Sequence, residues 1–569
     1  MPFKAPLSDI QFLLEKIVGL DQLRATELFA DADRDMTEAI LSEAGKLCAE
    51  IIAPGNRAGD EHHSVLENGR VRAAPGFAEA YRAIAEGGWV CVSAPVEHGG
   101  MGLPVALQTA INDMMSSANL SLQLNPLLTQ GQIEALAAHA SDELKELYLP
   151  KLISGEWSGT MNLTESGAGS DVGALVSRAE RNEDGTYAIT GQKIFITWGD
   201  CDFVSNVCHL VLARLPDGKP GTKGISLFMV PRDLPDETGV PGVANSLKVV
   251  SVEHKLGIHG SPTCVMEFNG AKGWLVGEEH GGMAAMFTMM NNARLGVAAQ
   301  GIGIAEAATQ KAIEYARERK QGRVGGTGMI IEFPDVRRML MTMKAETFAA
   351  RAIALANAVA IDMGHATGDE EWTARAALLT PISKAHGTDI GHEVAQLGVQ
   401  VHGGMGCIEE TGAAQFARDV RVAQIYEGTN GIQAMDLVAR KMMDGGAAAY
   451  ALLDEVEAFA ETARGTLPEL AKPVFNAAEN FREATEWLVE QEMQDRFAGC
   501  VAYLRAFARV LGAHYHLMAA MAEGGAGPRT KLARFFIKRI LPEHESLIAQ
   551  QRDGADGLYA MSVEELEAV

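Results

Sequence analysis

The chain has 569 residues, of which 47% are hydrophobic and 22% charged; this is ordinary globular usage and excludes a wholly disordered or collagen-like protein. Lys plus Arg total 49 against 74 Asp plus Glu, a formal net charge of −25, so the chain has no cationic excess to release counterions and no nucleic acid is expected as a partner. The seven cysteines (Cys48, Cys91, Cys201, Cys208, Cys264, Cys407 and Cys500) are odd in number and never spaced C-x-x-C, which argues against a disulfide framework and against zinc; no metal is expected.

The opening residues turn amphipathic and acidic at once, without the apolar core of a signal peptide or the Arg-rich, acid-poor make-up of a transit peptide. No apolar run approaches the roughly 18–20 residues of a bilayer span. A cytoplasmic protein with no transmembrane segment is therefore expected. The first 160 residues or so read as helices. Ile10, Leu13, Leu14, Ile17 and Val18 recur at helical spacing, and Asp31 to Ile52 forms a second amphipathic stretch ended by Ala53-Pro54-Gly55. Arg82–Glu86 and Leu107–Leu122 continue the pattern, and Gln132–Ile153 predicts a helix broken near Leu149-Pro150. From Gly159 to about Gly282 the period shifts towards two. Strands are predicted at Tyr187–Thr197, Val207–Ala213, Gly224–Val230 and Thr263–Phe268, separated by turn clusters such as Asn182–Gly185 and Pro216–Gly221. Helical periodicity returns from Met283 to Met443. Asp444-Gly445-Gly446 and the alanines after it read as a linker, and Leu452 onwards is again helical, including Phe497–Met521. The order helix, sheet, helix, helix lacks the β-α alternation of a Rossmann or barrel enzyme.

Four separated segments carry chemistry. Leu163-Thr-Glu-Ser-Gly-Ala-Gly-Ser-Asp171 combines glycines and small hydroxyls, which let backbone N–H groups approach a planar or phosphorylated ligand, though on composition alone it reads first as a plain inter-domain loop. Gln192–Trp198 is a strand ending in Phe195, Thr197 and an indole, either a β-core edge or a platform for a flat ring. Asn291–Gly303 has small residues at helical spacing and leads to Arg317, Arg319, Lys320 and Arg323; these cations suit either a helix C-terminus or a pyrophosphate. Finally, Gln400-Val-His-Gly-Gly-Met-Gly406 precedes Ile425-Tyr-Glu-Gly-Thr-Asn-Gly431. His402 alone reads as a structural histidine. Glu427, between Tyr426 and two small residues, is either a solvated carboxylate or a base in a dry slot.

In their order and separations these segments resemble the acyl-CoA dehydrogenase family over roughly residues 36–445. The Phe-Ile-Thr-Trp-Gly-Asp and Glu-Gly-Thr-Asn-Gly-Ile-Gln stretches look most like its long bacterial subgroup, which has additions at both ends. The resemblance implies an α+β fold: an N-terminal extension (1–35), an N-terminal α domain (36–158), a middle β-barrel-like domain (159–282), a C-terminal four-helix bundle (283–445) and an additional C-terminal helical domain (446–569). It implies FAD as cofactor, with Met161, Leu163, Thr164, Ser170, Phe195 and Thr197 at the flavin, Arg319 and Gln321 reaching the pyrophosphate of a neighbouring subunit, Gln400 and Gly404 on the adenine side, and Thr429 also in contact. Ser170, Asn291, Arg294 and Gly428 fall on substrate contacts, and Glu427 on the catalytic base. The family's usual Pro after Thr-Glu is Ser166 here, its Arg-x-Gln-Phe-Gly ends in Gly322-Arg323, its pantetheine Asp is Asn291, and its Gly-Tyr or Gly-Phe is Gly406-Cys407.

The implied reaction is α,β-dehydrogenation of an acyl-CoA thioester. Glu427 removes the α proton, the β hydrogen passes as hydride to flavin N5, and the Glu427 backbone N–H with a flavin ribityl hydroxyl holds the thioester oxygen as an oxyanion hole does. The subgroup implies 3-(methylthio)propionyl-CoA as substrate, with methylthioacryloyl-CoA as product; general short- to medium-chain acyl-CoAs are the alternative. Electron-transfer flavoprotein is the implied acceptor, and the intersubunit clamp implies a homodimer or higher homo-oligomer. Two competing readings are an oxidase using dioxygen and a non-catalytic flavin or acyl-CoA scaffold.

Overall fold

The structure, a computed structural model, describes residues 3–236, 238–323 and 326–569. The chain divides into two compact units. One comprises residues 39–296 with a few residues near the start, the other residues 6–38 and 297–569.

The unit of residues 39–296 is helical up to Ile153 and β beyond it. Its longest helix, Val105–His139, is bent at Asn119, whose φ of −161° and ψ of 95° leave the helical region; the Asn119 side chain then caps the second half by accepting from Leu122 N. The expected break at Pro150 is not there. The chain breaks instead at Ala140-Ser141, where Ser141 Oγ caps the helix Asp142–Ile153, and Pro150 sits inside that helix near its end. The stretch predicted to stop at Ala53-Pro54-Gly55 does end at Ile52, though its last turn is not α-helical. The helix Arg34–Leu47 passes into a π-turn, Cys48–Ile52, and a new helix runs over Gly55–Glu61.

The β part closes on itself. Thr263–Val276 pairs antiparallel with Tyr187–Thr197, which pairs with Arg178–Arg181; the latter meets the end of Asn206–Arg214 in parallel. Asn206–Arg214 pairs antiparallel with Ile225–Pro231, which returns to Thr263–Val276. This five-strand circuit is barrel-like, as expected. Trp157–Asn162 adds in parallel to Asn206–Arg214, and Leu247–Val252 adds to Thr263–Val276. Asn206–Arg214 and Ile225–Pro231 are buried almost throughout, as strands covered on both faces are. One apolar core packs the helix Asp142–Ile153 against Leu210, Leu227 and Met286; a second, around Ile189, Phe228 and Phe268, fills the barrel side.

The other unit is helical. Its long members are Pro334–Thr367, Glu370–His402, Pro468–Glu490 and Met493–Ala522. Pro334–Thr367 is long and apolar enough to cross a bilayer, but 89% of its apolar window is buried in the protein, which is the signature of a core helix. The expected linker after Met443 is shorter than its composition suggests, since a helix begins at Ala447. The N-terminal helix Leu7–Lys16 packs within this unit. Arg529 pairs with Asp9 at 2.8 Å and stacks its guanidinium over the Phe12 ring. The two segments expected as additions to the family fold are thus bonded to each other.

Candidate functional site

The candidate residues fall into two groups, one in each unit.

In the unit of residues 39–296, the strand Tyr187–Thr197 carries a bulge. Ile196 faces Cys264 and Lys193 faces Met266, so three steps on one strand match two on the other. The extra residue is taken up at Phe195, whose φ of 60° is left-handed and rare for a bulky side chain. The bulge turns the ring outward, leaving it 61% exposed. The Leu163–Asp171 segment lies beside it: Thr164 O accepts from Ile194 N, and Thr197 O accepts from Thr160 Oγ1 at 2.7 Å. Met161, Leu163, Thr164, Phe195 and Thr197 are therefore brought together, with Met161 on the strand Trp157–Asn162 and Leu163 and Thr164 just after it.

A buried ion pair ties these two pieces. Lys193, fully buried, donates to Leu163 O at 3.0 Å and to Glu165 Oε1 at 2.7 Å. Burial pushes the Lys193 ammonium down to about 8 against the pull of Glu165. Burial raises the Glu165 carboxyl, but Lys193 and the N–H groups around it outweigh this and hold it below its ordinary value. Glu165 also accepts from Val176 N and Ser177 N, while Arg214 donates to Leu175 O and Gly221 O, so the far end of the loop is fastened too. Between these anchors Ser166, Gly167, Gly169 and Ser170 are exposed. A Cβ at Gly167 or Gly169 would meet nothing within 4 Å. An exposed aromatic ring beside an open, fastened backbone suits a flat ring such as isoalloxazine.

Asn291 and Arg294 lie on the helix Gly282–Glu318; Asn291 is exposed, Arg294 is buried, and Arg294 Nη1 donates to Asn291 Oδ1 at 3.4 Å.

In the helical unit, Glu427 sits in a turn between Arg421–Gln424 and the helix Asn430–Ala439. Its φ of 56° is left-handed, and Gly428 follows at 81°. Strain of this kind is held only where neighbours fix it. Here Gln433 Nε2 donates to Glu427 O at 3.0 Å, and the buried Lys384 donates to Gly428 O at 2.8 Å. Tyr426 donates its phenol to Gln300. Burial and the adjacent Glu427 carboxylate both drive that phenol well above its ordinary value. Thr429 caps the next helix by accepting from Ile432 N. Glu427 itself is half-buried, neither solvated outright nor sealed.

Gln400 and Gly404 lie at the end of the helix Glu370–His402, the same helix that supplies Lys384, and both are exposed. His402 is structural, as expected: Nδ1 bonds Gly398 O at 2.7 Å and the ring stacks on Tyr315. Arg319 and Gln321 are exposed just beyond the helix ending at Glu318, where Arg319 O accepts from Ile330 N and Gln321 N donates to Gly328 O. An exposed guanidinium next to an amide fits a phosphate ligand.

The motifs did not reveal Lys193, Glu165 or Lys384. Glu165 and Lys193 lie inside two of the quoted segments, but nothing in their spacing shows that they pair, and Lys384 is a lone charge inside an apolar helix that chain order does not connect to a site. All seven cysteines are free. Among the described residues, Asp217, Glu279 and His280 come close enough to share a cation, but Arg181 pairs with both carboxylates.

Comparison with known proteins adds to this geometry. Residues 34–156, 160–271 and 280–443 match the acyl-CoA dehydrogenase N-terminal, middle and C-terminal domain families, and residues 452–562 match a family described as acetyl-CoA dehydrogenase C-terminal like. The chain is 45% identical over 519 residues to a 3-methylmercaptopropionyl-CoA dehydrogenase of Ruegeria pomeroyi, covering 89% of this chain and 88% of that one. It is 36% identical to a butyryl-CoA dehydrogenase of Syntrophomonas wolfei, covering 76% of this chain and 74% of the relative. An FAD-complexed acyl-CoA dehydrogenase from Bacillus anthracis shares the fold, with TM-score 0.77 at 20% identity, covering 100% of this chain and 95% of that one. With family matches spanning both units and the candidate base on a pinned turn, the chain belongs to the acyl-CoA dehydrogenase family.

Proposed function

We propose that this protein is an FAD-dependent dehydrogenase of 3-(methylthio)propionyl-CoA, forming methylthioacryloyl-CoA, and that Glu427 is its base. The observation that carries the base assignment is the left-handed turn at Glu427, held by bonds to the carbonyls of Glu427 and Gly428. The relative acting on 3-methylmercaptopropionyl-CoA, which matches over most of both chains, supports the substrate.

The α C–H beside a thioester is too weak an acid for a free carboxylate in water. The chain therefore needs a fixed base and a donor for the thioester oxygen. Glu427 supplies both: its carboxylate takes the α proton and its backbone N–H holds the oxygen. When bound, FAD supplies the hydride acceptor for the β hydrogen. Met161, Leu163, Thr164, Phe195 and Thr197 would seat the flavin ring, with Ser170 touching flavin or CoA. Gln400, Gly404 and Thr429 hold the rest of the cofactor, and Arg319 and Gln321 hold the pyrophosphate of a neighbouring subunit, which makes the enzyme at least a homodimer. Asn291, Arg294, Ser170 and Gly428 contact the CoA thioester. Electron-transfer flavoprotein reoxidises the enzyme, which works in the cytoplasm, and the five segments 1–35, 36–158, 159–282, 283–445 and 446–569 are its domains.

The test is Glu427→Gln. The variant is expected to fold, retain FAD and lose turnover by at least ~10³-fold with an artificial electron acceptor, the scale of removing a catalytic acid–base group. Full activity would refute the base. A panel of acyl-CoAs including the sulfur-containing one settles the substrate: a higher kcat/KM for butyryl-CoA would favour a general short-chain enzyme. Peroxide formed without added acceptor would mark an oxidase.

A further inference from the structure

The helix Glu370–His402 carries a lysine where an apolar residue would ordinarily sit. Lys384 has no solvent exposure, and its neighbours Ile382, Ser383 and Ala385 are buried as well. A buried ammonium persists only with acceptors in place. Lys384 Nζ has two on the loop of the proposed base: Gly428 O at 2.8 Å and Asn430 Oδ1 at 2.9 Å. The amide of Asn430 donates in turn to Asp389 Oδ1 at 2.7 Å and to Thr388 Oγ1, both one turn further along the same helix, and Gln424 Nε2 joins Asp389 from the other side of the turn. The neighbouring peptide is fixed separately, by Gln433 at Glu427 O.

We propose that Lys384 is a positioning residue for Glu427: its ammonium, bonded to Gly428 O and Asn430 Oδ1, holds the left-handed turn that presents the Glu427 carboxylate and N–H. The proposal rests on the reading of Glu427 as the base. The reason is geometric. The carbonyls of Glu427 and Gly428 belong to the peptide planes on either side of Gly428, so bonding both fixes that left-handed glycine and the plane that follows Glu427, against which Glu427 is held at φ 56°. Catalysis by a base depends on placement to within a fraction of an ångström, whereas binding of the CoA and FAD moieties draws on many other contacts. Loss of Lys384 is therefore expected in the proton-transfer step and not in binding.

The experiment uses the FAD-loaded full-length protein and the variants Lys384→Met, Lys384→Gln and Glu427→Gln. Two rates are measured with the best substrate of the panel: turnover with an artificial acceptor, and exchange of the substrate's α hydrogen with D2O, which reports proton removal without net oxidation. Lys384→Met is expected to lower kcat and α-exchange together by 10- to 100-fold. FAD content should be retained and the Kd for acyl-CoA, read from the flavin spectrum, should stay within about 3-fold. Lys384→Gln, which keeps an N–H-donating amide but not the charge, is expected to fall between wild type and the Met variant; it decides the matter if the Met variant does not fold. Loss of FAD or of acyl-CoA binding in step with kcat would overturn the positioning role in favour of a purely structural one, and so would wild-type α-exchange in a folded variant. If Glu427→Gln is inactive while Lys384→Met and Lys384→Gln are normal, the base stands and this proposal falls. If Glu427→Gln is active, the base reading itself has failed.

Discussion

Arg509 and Glu346 form an ion pair of 2.6 Å with both side chains almost wholly buried. Arg509 belongs to the helix Met493–Ala522, in the region that matches the extra C-terminal family, and Glu346 to Pro334–Thr367, in the region of the acyl-CoA dehydrogenase C-terminal domain. Glu543 completes the group by accepting from Arg509 at 2.6 Å and from Arg505 at 3.1 Å. Breaking a buried pair leaves a bare charge, at a cost of about 3–5 kcal/mol, whereas replacing both partners by apolar side chains is often neutral. Arg509→Met alone should therefore destabilise the helical unit by that amount in urea titrations of the FAD-loaded protein. The double variant Arg509→Met/Glu346→Leu should recover at least half of the loss. A double variant no better than the single one would show that the pair itself contributes the stability.

A second test concerns pH. Glu134, on the helix Val105–His139, accepts a short bond from Asn292 Nδ2. Its side chain keeps a little solvent contact, yet it lies deep enough among protein atoms for desolvation to dominate, and burial lifts its carboxyl to about 7 against the pull of Asn292. Below about pH 4.5 the group is protonated in both folded and unfolded chains and contributes nothing. Between about 4.5 and 7 the unfolded chain ionises first, so stability falls as pH rises; above 7 the full penalty remains. Glu134→Gln removes the titration. It should be more stable than wild type by about 1–3 kcal/mol at pH 8 and by little at pH 4.5. An equal offset at both pH values would show that the carboxyl does not titrate in this window.

The residues most legible in the order of the chain were those whose pattern is local. Tyr187–Thr197 alternates over Tyr187–Thr190, before the buried Lys193 and the bulge at Phe195, and its predicted ends are the observed ones. In Trp157–Asn162 the residues alternate but the burial does not: Ser158, Thr160 and Asn162 are buried alongside Trp157, and so short a run of small and polar residues predicts no strand. Leu247–Val252 adds only at an edge and was missed as well. Pro150 looked like a helix break, but so close to the C-terminal end it removes only the bond to Glu146, and the capping hydroxyl of Ser141 decides where the chain divides. The motif around Glu427 pointed to a base, while the left-handed backbone there, and the approach of a lysine 43 positions earlier, depend on tertiary packing and leave no trace in spacing. Phe195 shows the same limit. Its aromatic character was readable, but the bulge that exposes it arises from a register mismatch with Thr263–Val276.

That bulge yields the last prediction, in which stability and cofactor binding part ways. Phe195 holds a left-handed backbone that costs a non-glycine residue roughly 1–2 kcal/mol, and its exposed ring returns little packing energy to the fold. Phe195→Gly removes the strain, offset in part by the greater freedom of glycine in the unfolded chain, so the apoprotein should stay within about 1 kcal/mol of wild type. Deleting a buried phenylalanine would instead cost ~3–5 kcal/mol. If the ring stacks on the flavin, its removal forfeits about 0.5–1.5 kcal/mol of aromatic contact, a rise in the FAD dissociation constant of roughly 2- to 12-fold. Thermal unfolding of the apoprotein and fluorescence titration with FAD measure the two quantities separately. Unchanged FAD affinity would remove Phe195 from the flavin site, and a core-sized loss of apoprotein stability would show that the ring supports the barrel instead.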